Sequence, residues 1–310
     1  MRAPTALLLA LVLVAGCAAP EPAADADGTS APTFEPSTVA PSQAPGESSV
    51  KETIRLDDEV LTEFELTGCL NPRMLFVLDP ADAQALLPAG FTAADVALLT
   101  QFAGVEGPLP VGTGRAVGGY DFLSCAHDTL SNGSAAFSQV GILVNPPDLG
   151  ERTPVDPTTF DLYLLALHVD QSAWQELALR SGFNLVEAPL AEINSQATDV
   201  AAGQHQGIGS VLTPAPLAEA RYGLPSAGRE LDFRARYWHV GTNGTFYLEF
   251  HLTEEVRAGA IATCTHGEGS AFAKVSGTTT CSAQPRFAAV GLDTSIEGGA
   301  YWLPGLFPVA

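Results

Sequence analysis

Basic residues are scarce in this chain of 310 residues, and lysine is almost absent. Lys and Arg number 14 against 35 Asp and Glu, which gives a formal net charge of -21. Nucleic-acid binding depends on basic groups that displace counterions from phosphates, so this composition excludes a nucleic-acid partner. The only lysines are Lys51 and Lys274, and neither lies in a G-x-x-x-x-G-K loop, which argues against a P-loop nucleotide mechanism.

Motifs for metal binding and for common hydrolases are absent as well. There is no G-x-S-x-G elbow and no H-E-x-x-H pair. Neither the cysteines nor the scattered histidines have the close spacing of a metal site, so we predict no metal and no cofactor. A catalytic triad formed by Ser, His and Asp residues that are distant in the sequence remains an alternative, because triads are recognised by geometry and not by sequence spacing. The apolar content of 46%, with 15 Phe, predicts at least one folded domain.

The N-terminus has the pattern of an export signal. Arg2 precedes an apolar run from Ala6 to Val14, which is too short to span a bilayer. Residues 14–17 (VAGC) resemble the bacterial lipobox, so the resemblance implies that residues 1–16 are removed and that Cys17 carries a diacylglyceryl group. We therefore expect a protein anchored by lipid at the extracytoplasmic face of the bacterial cell membrane, with the membrane as a partner.

The following segment predicts a linker. Residues 17–54 are rich in Pro, Ala, Ser and acidic residues, and the only aromatic residue there is Phe34. Such a segment does not bury enough apolar surface to order itself. We expect the globular domain to occupy residues 55–310.

Four cysteines remain after Cys17, and an even number in an exported chain predicts disulfides. Three pairings are possible. We favour Cys69 with Cys125 and Cys264 with Cys281, because each pair closes a short loop within one half of the chain.

The domain has the pattern of a mainly β protein with a few short helices, and we expect an antiparallel β-barrel or cone in a single domain. One helix should begin at Asp79-Pro80, and another should run from about Asp170 to Gly182. The segment from Thr92 to Phe102 fits either a helix or a buried strand. The clearest predicted strands are 74–78, 120–126, 137–144, 160–169, 231–240 and 246–252.

The last two strands predict a hairpin with an Asn243-Gly244 turn. That turn puts Trp238 opposite Glu249 and Arg236 opposite His251. One face of the hairpin is then apolar, with His239 as a core histidine. The other face is mixed, and we expect it to line a cavity. Its candidate ligand-binding residues are Arg234, Arg236, Trp238 and Tyr247, and Glu249 with His251 form the candidate acid–base pair. A solvated sheet face explains the same pattern, because cross-strand charge pairs are common there.

Two stretches resemble the acetoacetate decarboxylase-like superfamily. Residues 85–91 (ALLPAGF) are similar to a family helix that ends in Leu-Leu-Pro-x-Gly-Phe. Residues 168–170 (HVD), a helix and residues 182–188 (GFNLVEA) are similar to the segment that carries the family's Schiff-base lysine. The resemblance implies a β-barrel with short flanking helices. Leu185 and Val186 stand where the family has paired lysines, so acetoacetate decarboxylase activity is not expected unless the fold brings Lys274 into the cavity.

Three functions are compatible with these features. The first is a lipid-anchored surface protein whose barrel binds a small, partly apolar or anionic ligand without catalysis. The second is a hydrolase, lyase or cyclase that uses Glu249 and His251. The third is a structural or interaction module of the cell envelope, which would have an exposed apolar patch and no pocket.

Overall fold

The computed structural model describes residues 60–95, 114–147, 159–201, 204–212, 216–224, 228–241, 244–258, 261–281 and 287–304. The predicted signal sequence, Cys17 and the predicted linker lie outside these ranges, as do residues 96–102 of the ambiguous segment and turn residues Thr242 and Asn243. Within the described ranges, no helix is both long enough and apolar enough to cross a bilayer.

Strands dominate the domain. Three helices lie within the described ranges: α1 (Pro80–Ala85), α2 (Ser172–Arg180) and α3 (Ala271–Ser276). The strands are β1 (Val60–Leu78), β2 (Thr92–Ala93), β3 (Ala116–Asp128), β4 (Gly133–Asn145), β5 (Thr159–Val169), β6 (Glu192–Ala201), β7 (Gln204–Leu212), β8 (Pro216–Leu224), β9 (Arg229–Gly241), β10 (Gly244–Ala258), β11 (Ile261–His266), β12 (Thr280–Cys281) and β13 (Phe287–Pro304).

Seven strands close into a barrel. Their order is β4-β3-β1-β13-β10-β9-β5, and β5 pairs again with β4. The predicted mainly β barrel is therefore confirmed. One seam departs from the expected antiparallel pattern, because β5 runs parallel to β9. A second sheet, in the order β12-β11-β8-β7-β6, and helix α3 pack against the outer face of the barrel.

Both faces of the barrel strands are buried over much of their length. The inward side chains form one core, which includes Leu66, Phe137 and Phe250, and Trp174 of α2 packs into the same core. The outward side chains form a second core beneath the second sheet and α3, with Phe122 and Phe272 among its members. Alternation along each strand therefore separates two buried surfaces rather than a core and a solvated face.

The predictions of helices α1 and α2 are confirmed. Asp79 caps α1, because its side chain accepts a hydrogen bond from Ala81 N–H at 2.9 Å, and Pro80 occupies the first turn. Helix α2 ends before Gly182, whose φ of 95° is in the left-handed region. Helix α3 was not predicted, although its Ser270 cap and Gly277 terminus are recognisable signals.

The Cys69–Cys125 disulfide is confirmed, and it joins neighbouring strands β1 and β3. Backbone register places Cys264 opposite Cys281. The side chain of Cys281 lies outside the described part of the structure, so its predicted pairing with Cys264 stays a prediction.

The predicted pairing within the β9–β10 hairpin is wrong by two residues. Trp238 lies opposite Tyr247, and Arg236 lies opposite Glu249. Gly244 is a member of the strand pair, opposite Gly241, rather than part of the turn. Because a shift of two residues preserves side-chain alternation, the predicted division into two faces still holds.

The parallel seam is held by a buried ion pair. Arg236 Nε and Nη2 donate to the two Asp161 carboxylate oxygens at 2.8 and 3.0 Å. We expect Asp161→Asn to lower the free energy of unfolding by about 3 kcal/mol, because it leaves a buried guanidinium without a counter-charge. Urea unfolding measures this loss. Glu249→Gln makes the same change in the exposed pair with Arg234, and its cost should stay below about 1 kcal/mol. Equal losses for the two variants would contradict the assignment.

Candidate functional site

The predicted ligand-binding residues lie on the outer face of the barrel. Arg236 is engaged by Asp161, and Trp238 Nε1–H donates to the same carboxylate at 2.7 Å. Trp238 and Tyr247 are buried against each other, with ring centroids 4.6 Å apart. These contacts give Arg236 and Trp238 a structural role in closing the barrel.

The remaining predicted residues are closer to solvent. Arg234 donates to Glu249 at 3.3 Å, and His251 Nε2 lies 2.6 Å from Asp232 Oδ1. All four are exposed or half-buried, so Glu249 and His251 do not share an enclosed site. None of the residues predicted to bind ligand or act as acid and base lines the cavity described next. The mixed face therefore points away from this cavity, because the hairpin turns its apolar face inward. Ligand binding or acid–base chemistry by these residues stays a prediction.

A cavity of about 100 Å³ lies inside the barrel. Its walls are mainly apolar and come from β1, β3, β4, β5, β9, β10 and β13. The half-buried apolar side chains of the wall are those of Leu75, Phe160, Leu162, Leu231 and Phe233. A site of this kind, with apolar walls and a few polar groups, is typical of small-molecule binding.

Four polar side chains from three different strands also line the cavity: Asn71 and Arg73 of β1, Asp121 of β3 and Gln139 of β4. Arg73 forms an ion pair with Glu254 of β10, whose side chain is fully buried. Thr294 Oγ1–H donates to the second Glu254 carboxylate oxygen at 3.1 Å. Gly291 leaves room for the Glu254 carboxylate in this position, because a Cβ at residue 291 would overlap it.

Several polar atoms beside the cavity have no hydrogen-bond partner among the described residues. They are Asn71 Oδ1, Arg73 Nε and both polar atoms of the Gln139 amide. Asn71 and Gln139 are each only 3% exposed. A buried polar group without a partner costs about 1–3 kcal/mol, so this cluster stands out from the rest of the core.

Burial changes the acid–base properties of the cavity. Desolvation raises the pKa of Asp121 to about 7, although the Gln139 backbone N–H and Arg73 act in the opposite direction. That N–H donates to Asp121 Oδ1 at 3.1 Å. Burial also raises the pKa of Tyr237, so this cavity-lining phenol stays neutral at physiological pH. Buried groups with such shifts are typical of functional sites.

These cavity residues were missed from the sequence. Asp121 stands between Tyr120 and Phe122, and Gln139 stands within an apolar strand. A polar residue at an inward position of a buried strand is a recognisable signal, but the strands had to be assembled before the residues could be placed together.

The segment that resembles the family's lysine loop lies at the protein surface. Leu185 and Val186 are 62% and 85% exposed and do not line the cavity. Lys274, the only lysine among the described residues, is exposed on α3. Among the described residues, therefore, no side-chain amine reaches the cavity. His239 is a buried core histidine, as predicted, and its ring stacks on Phe183. The described ranges contain no group of three or more potential metal ligands of the His, Cys, Asp or Glu type.

Comparison with solved structures supports the fold. Acetoacetate decarboxylase from Legionella pneumophila subsp. pneumophila str. Philadelphia 1 matches with a TM-score of 0.50 and 13% identity, over 82% of this chain and 93% of that chain. Two other matches have lower TM-scores. The enduracididine biosynthesis enzyme MppR matches with 0.47 and 12% identity, over 78% and 90% of the two chains. An acetoacetate decarboxylase-like enzyme from Sphingomonas wittichii RW1 matches with 0.45 and 12% identity, over 81% and 96%.

No protein-family model and no curated protein matches the chain by sequence. The structural match with acetoacetate decarboxylase shows that the domain has an acetoacetate decarboxylase-like fold, as the sequence resemblance predicted. Sequence identities this low concern the fold alone.

The raised pKa of Asp121 predicts a specific pH dependence of stability. Folded Asp121 holds a proton between about pH 4 and pH 7 that the unfolded chain releases. Its stabilising contribution is complete below that range and is lost as the pH rises through it, by up to about 1.4 kcal/mol per pH unit. Asp121→Asn removes this titration. The free energy of unfolding of the variant, relative to the wild type, should therefore increase from about pH 4 to about pH 7.

Urea unfolding at a series of pH values measures this difference. Asp82→Asn, at an exposed position in the first turn of α1, is the matched control and should show no comparable trend. A flat difference for Asp121→Asn across the range would contradict the assigned pKa.

Proposed function

We propose that this chain is an exported, lipid-anchored protein whose barrel holds a small, partly apolar ligand without covalent chemistry. The observation that supports binding most directly is the cavity inside the barrel, with apolar walls and buried polar atoms that lack protein partners. The structural-module hypothesis expected no pocket, so the cavity favours binding over it.

The size of the cavity limits the ligand. An apolar cavity of about 150 Å³ in another protein holds benzene. At about 100 Å³, the cavity here suits a group of similar or smaller size. A larger ligand would have to extend along the half-buried apolar wall, where Phe160, Leu162 and Phe233 offer contact. Burial of apolar surface there contributes about 25 cal/mol per Å².

Non-covalent binding is favoured over decarboxylation by the chemistry of the lining. A Schiff base requires a lysine amine, and no lysine lines the cavity. Binding therefore depends on shape, apolar contact and hydrogen bonds to the polar side chains.

An enzyme is the second candidate, and the state of Asp121 favours it. A carboxyl group whose pKa is about 7 can both donate and accept a proton near neutral pH. In this case Asp121 would replace the surface residues Glu249 and His251 as the acid–base group. Mass spectrometry of ligand recovered after incubation distinguishes the two functions, because turnover changes the ligand and binding does not.

The anchoring proposal has a direct test. Cys17→Ser removes the thiol that the lipobox-like sequence predicts to be acylated, so the variant should lose label from a palmitate analogue and leave the membrane fraction. Ala18→Ser is the matched control and should remain labelled and membrane-bound. Membrane-bound, labelled Cys17→Ser protein would contradict the proposal.

The binding proposal is tested by filling the cavity. Val117 is buried and lines the cavity, so Val117→Phe should reduce the amount of co-purifying small molecule at least tenfold in native mass spectra of the full chain. The matched control is Val186→Phe, which adds the same ring at a position that is 85% exposed. Ligand occupancy should be unchanged in the control. Equal occupancy in both folded variants would argue against binding in the barrel.

A further inference from the structure

The cavity has a charge balance that constrains its ligand. Arg73 is the only cation among the residues that line it, and Glu254 already neutralises that charge. Asp121 lies beside the pair and adds either no charge or one negative charge, depending on pH. Tyr237 stays neutral. In every protonation state of Asp121, therefore, the net charge of this group is zero or negative.

The unpartnered atoms have a definite hydrogen-bonding character. Gln139 offers an N–H donor and a C=O acceptor on one planar amide, Asn71 Oδ1 is an acceptor, and Arg73 Nε–H is a donor. A ligand that satisfies them needs donor and acceptor atoms close together. A carboxamide provides both without a charge, whereas a carboxylate provides acceptors only.

We propose that the cavity selects an uncharged ligand with a carboxamide-type head and an apolar body, and that it rejects carboxylates. This proposal rests on the proposed binding function and names the ligand class of the same site. It departs from the expectation of an anionic ligand, because the one available guanidinium is committed to Glu254.

The physical basis of the selectivity is the cost of burying charge. A carboxylate in the cavity would lie near Glu254 and would lose its hydration without gaining a free cation. An amide loses less hydration and returns hydrogen bonds to Gln139 and Asn71, which otherwise have none at these atoms. The apolar body then contacts the same walls in both cases, so the head group alone determines the preference.

The experiment compares isovaleramide with isovalerate, which differ only in the head group. Both are titrated into methyl-labelled full-length protein at neutral pH, and the NMR signals of Val117, Leu231 and Val256 report on the cavity. Isovaleramide should shift these signals saturably, with a Kd at least tenfold below that of isovalerate. Gln139→Leu should weaken isovaleramide binding at least tenfold, because it removes both atoms of the amide partner.

Glu254→Gln provides the sharpest variant, because it releases Arg73 from its counter-ion. Binding of isovalerate should then strengthen at least tenfold relative to the wild type. Glu249→Gln, which neutralises an outer-face carboxylate, should leave both affinities unchanged. If Glu254→Gln does not fold, the wild-type comparison and Gln139→Leu still decide the question.

The outcomes separate this proposal from the one on which it rests. Tighter binding of isovalerate than of isovaleramide to the wild type would overturn the neutral-ligand proposal and leave binding in the barrel intact. No shift of the cavity methyl signals by either probe would also overturn it. Failure of the binding function itself would instead appear as unchanged ligand occupancy in Val117→Phe.

Discussion

The ion pair between Arg73 and Glu254 inside the barrel determines what the cavity can hold. It joins β1 to β10, and the hydrogen bond from Thr294 adds β13. The fold accommodates the carboxylate through Gly291, which leaves room for it on the neighbouring strand. Because the pair is buried, removing one partner would leave an uncompensated charge in a low-dielectric interior. The pair therefore links the construction of the barrel to the electrostatics of its cavity.

Each strand of the closed barrel has one face toward the interior and one face toward the outside, and the packing constrains the residues on both faces. Inward residues must fill the barrel or line the cavity, and many outward residues must pack beneath the second sheet and α3. Asp161 contributes to this second requirement at the parallel seam, where its carboxylate accepts hydrogen bonds from both Arg236 and Trp238. A polar residue on such a strand therefore has one of two roles. It either completes the packing of the outer layer or contributes to the interior site.

This distinction explains how far the sequence could predict the site. The β-rich barrel, helix α1, the Cys69–Cys125 disulfide and the two faces of the β9–β10 hairpin were predictable from local patterns. The sequence did not predict which of the two faces points into the barrel, because a face with Arg236 and Trp238 has the composition of a binding surface. The actual cavity residues come from separate strands and form no motif along the chain. Asp121 and Gln139 each look like a single interruption of an apolar strand.

Other elements were missed for reasons of composition. The strand β7 (QHQGIGSVL) consists largely of small and polar residues, and β13 contains three glycines, which weaken a strand signal. Two of these glycines have a packing explanation. Gly291 makes room for Glu254, and a Cβ at Gly298 would lie 2.5 Å from the Phe64 ring. The neighbours that require these glycines lie on other strands, so the requirement becomes visible only in the assembled barrel.

The most direct measurement is a crystal structure of the full chain purified together with its natural small molecule. The account predicts density inside the barrel, not covalently linked to any side chain, with an uncharged polar group at hydrogen-bond distance of about 3 Å from the Gln139 amide. A ligand bound instead on the outer face beside Arg234, or a carboxylate paired with Arg73 in place of Glu254, would contradict it.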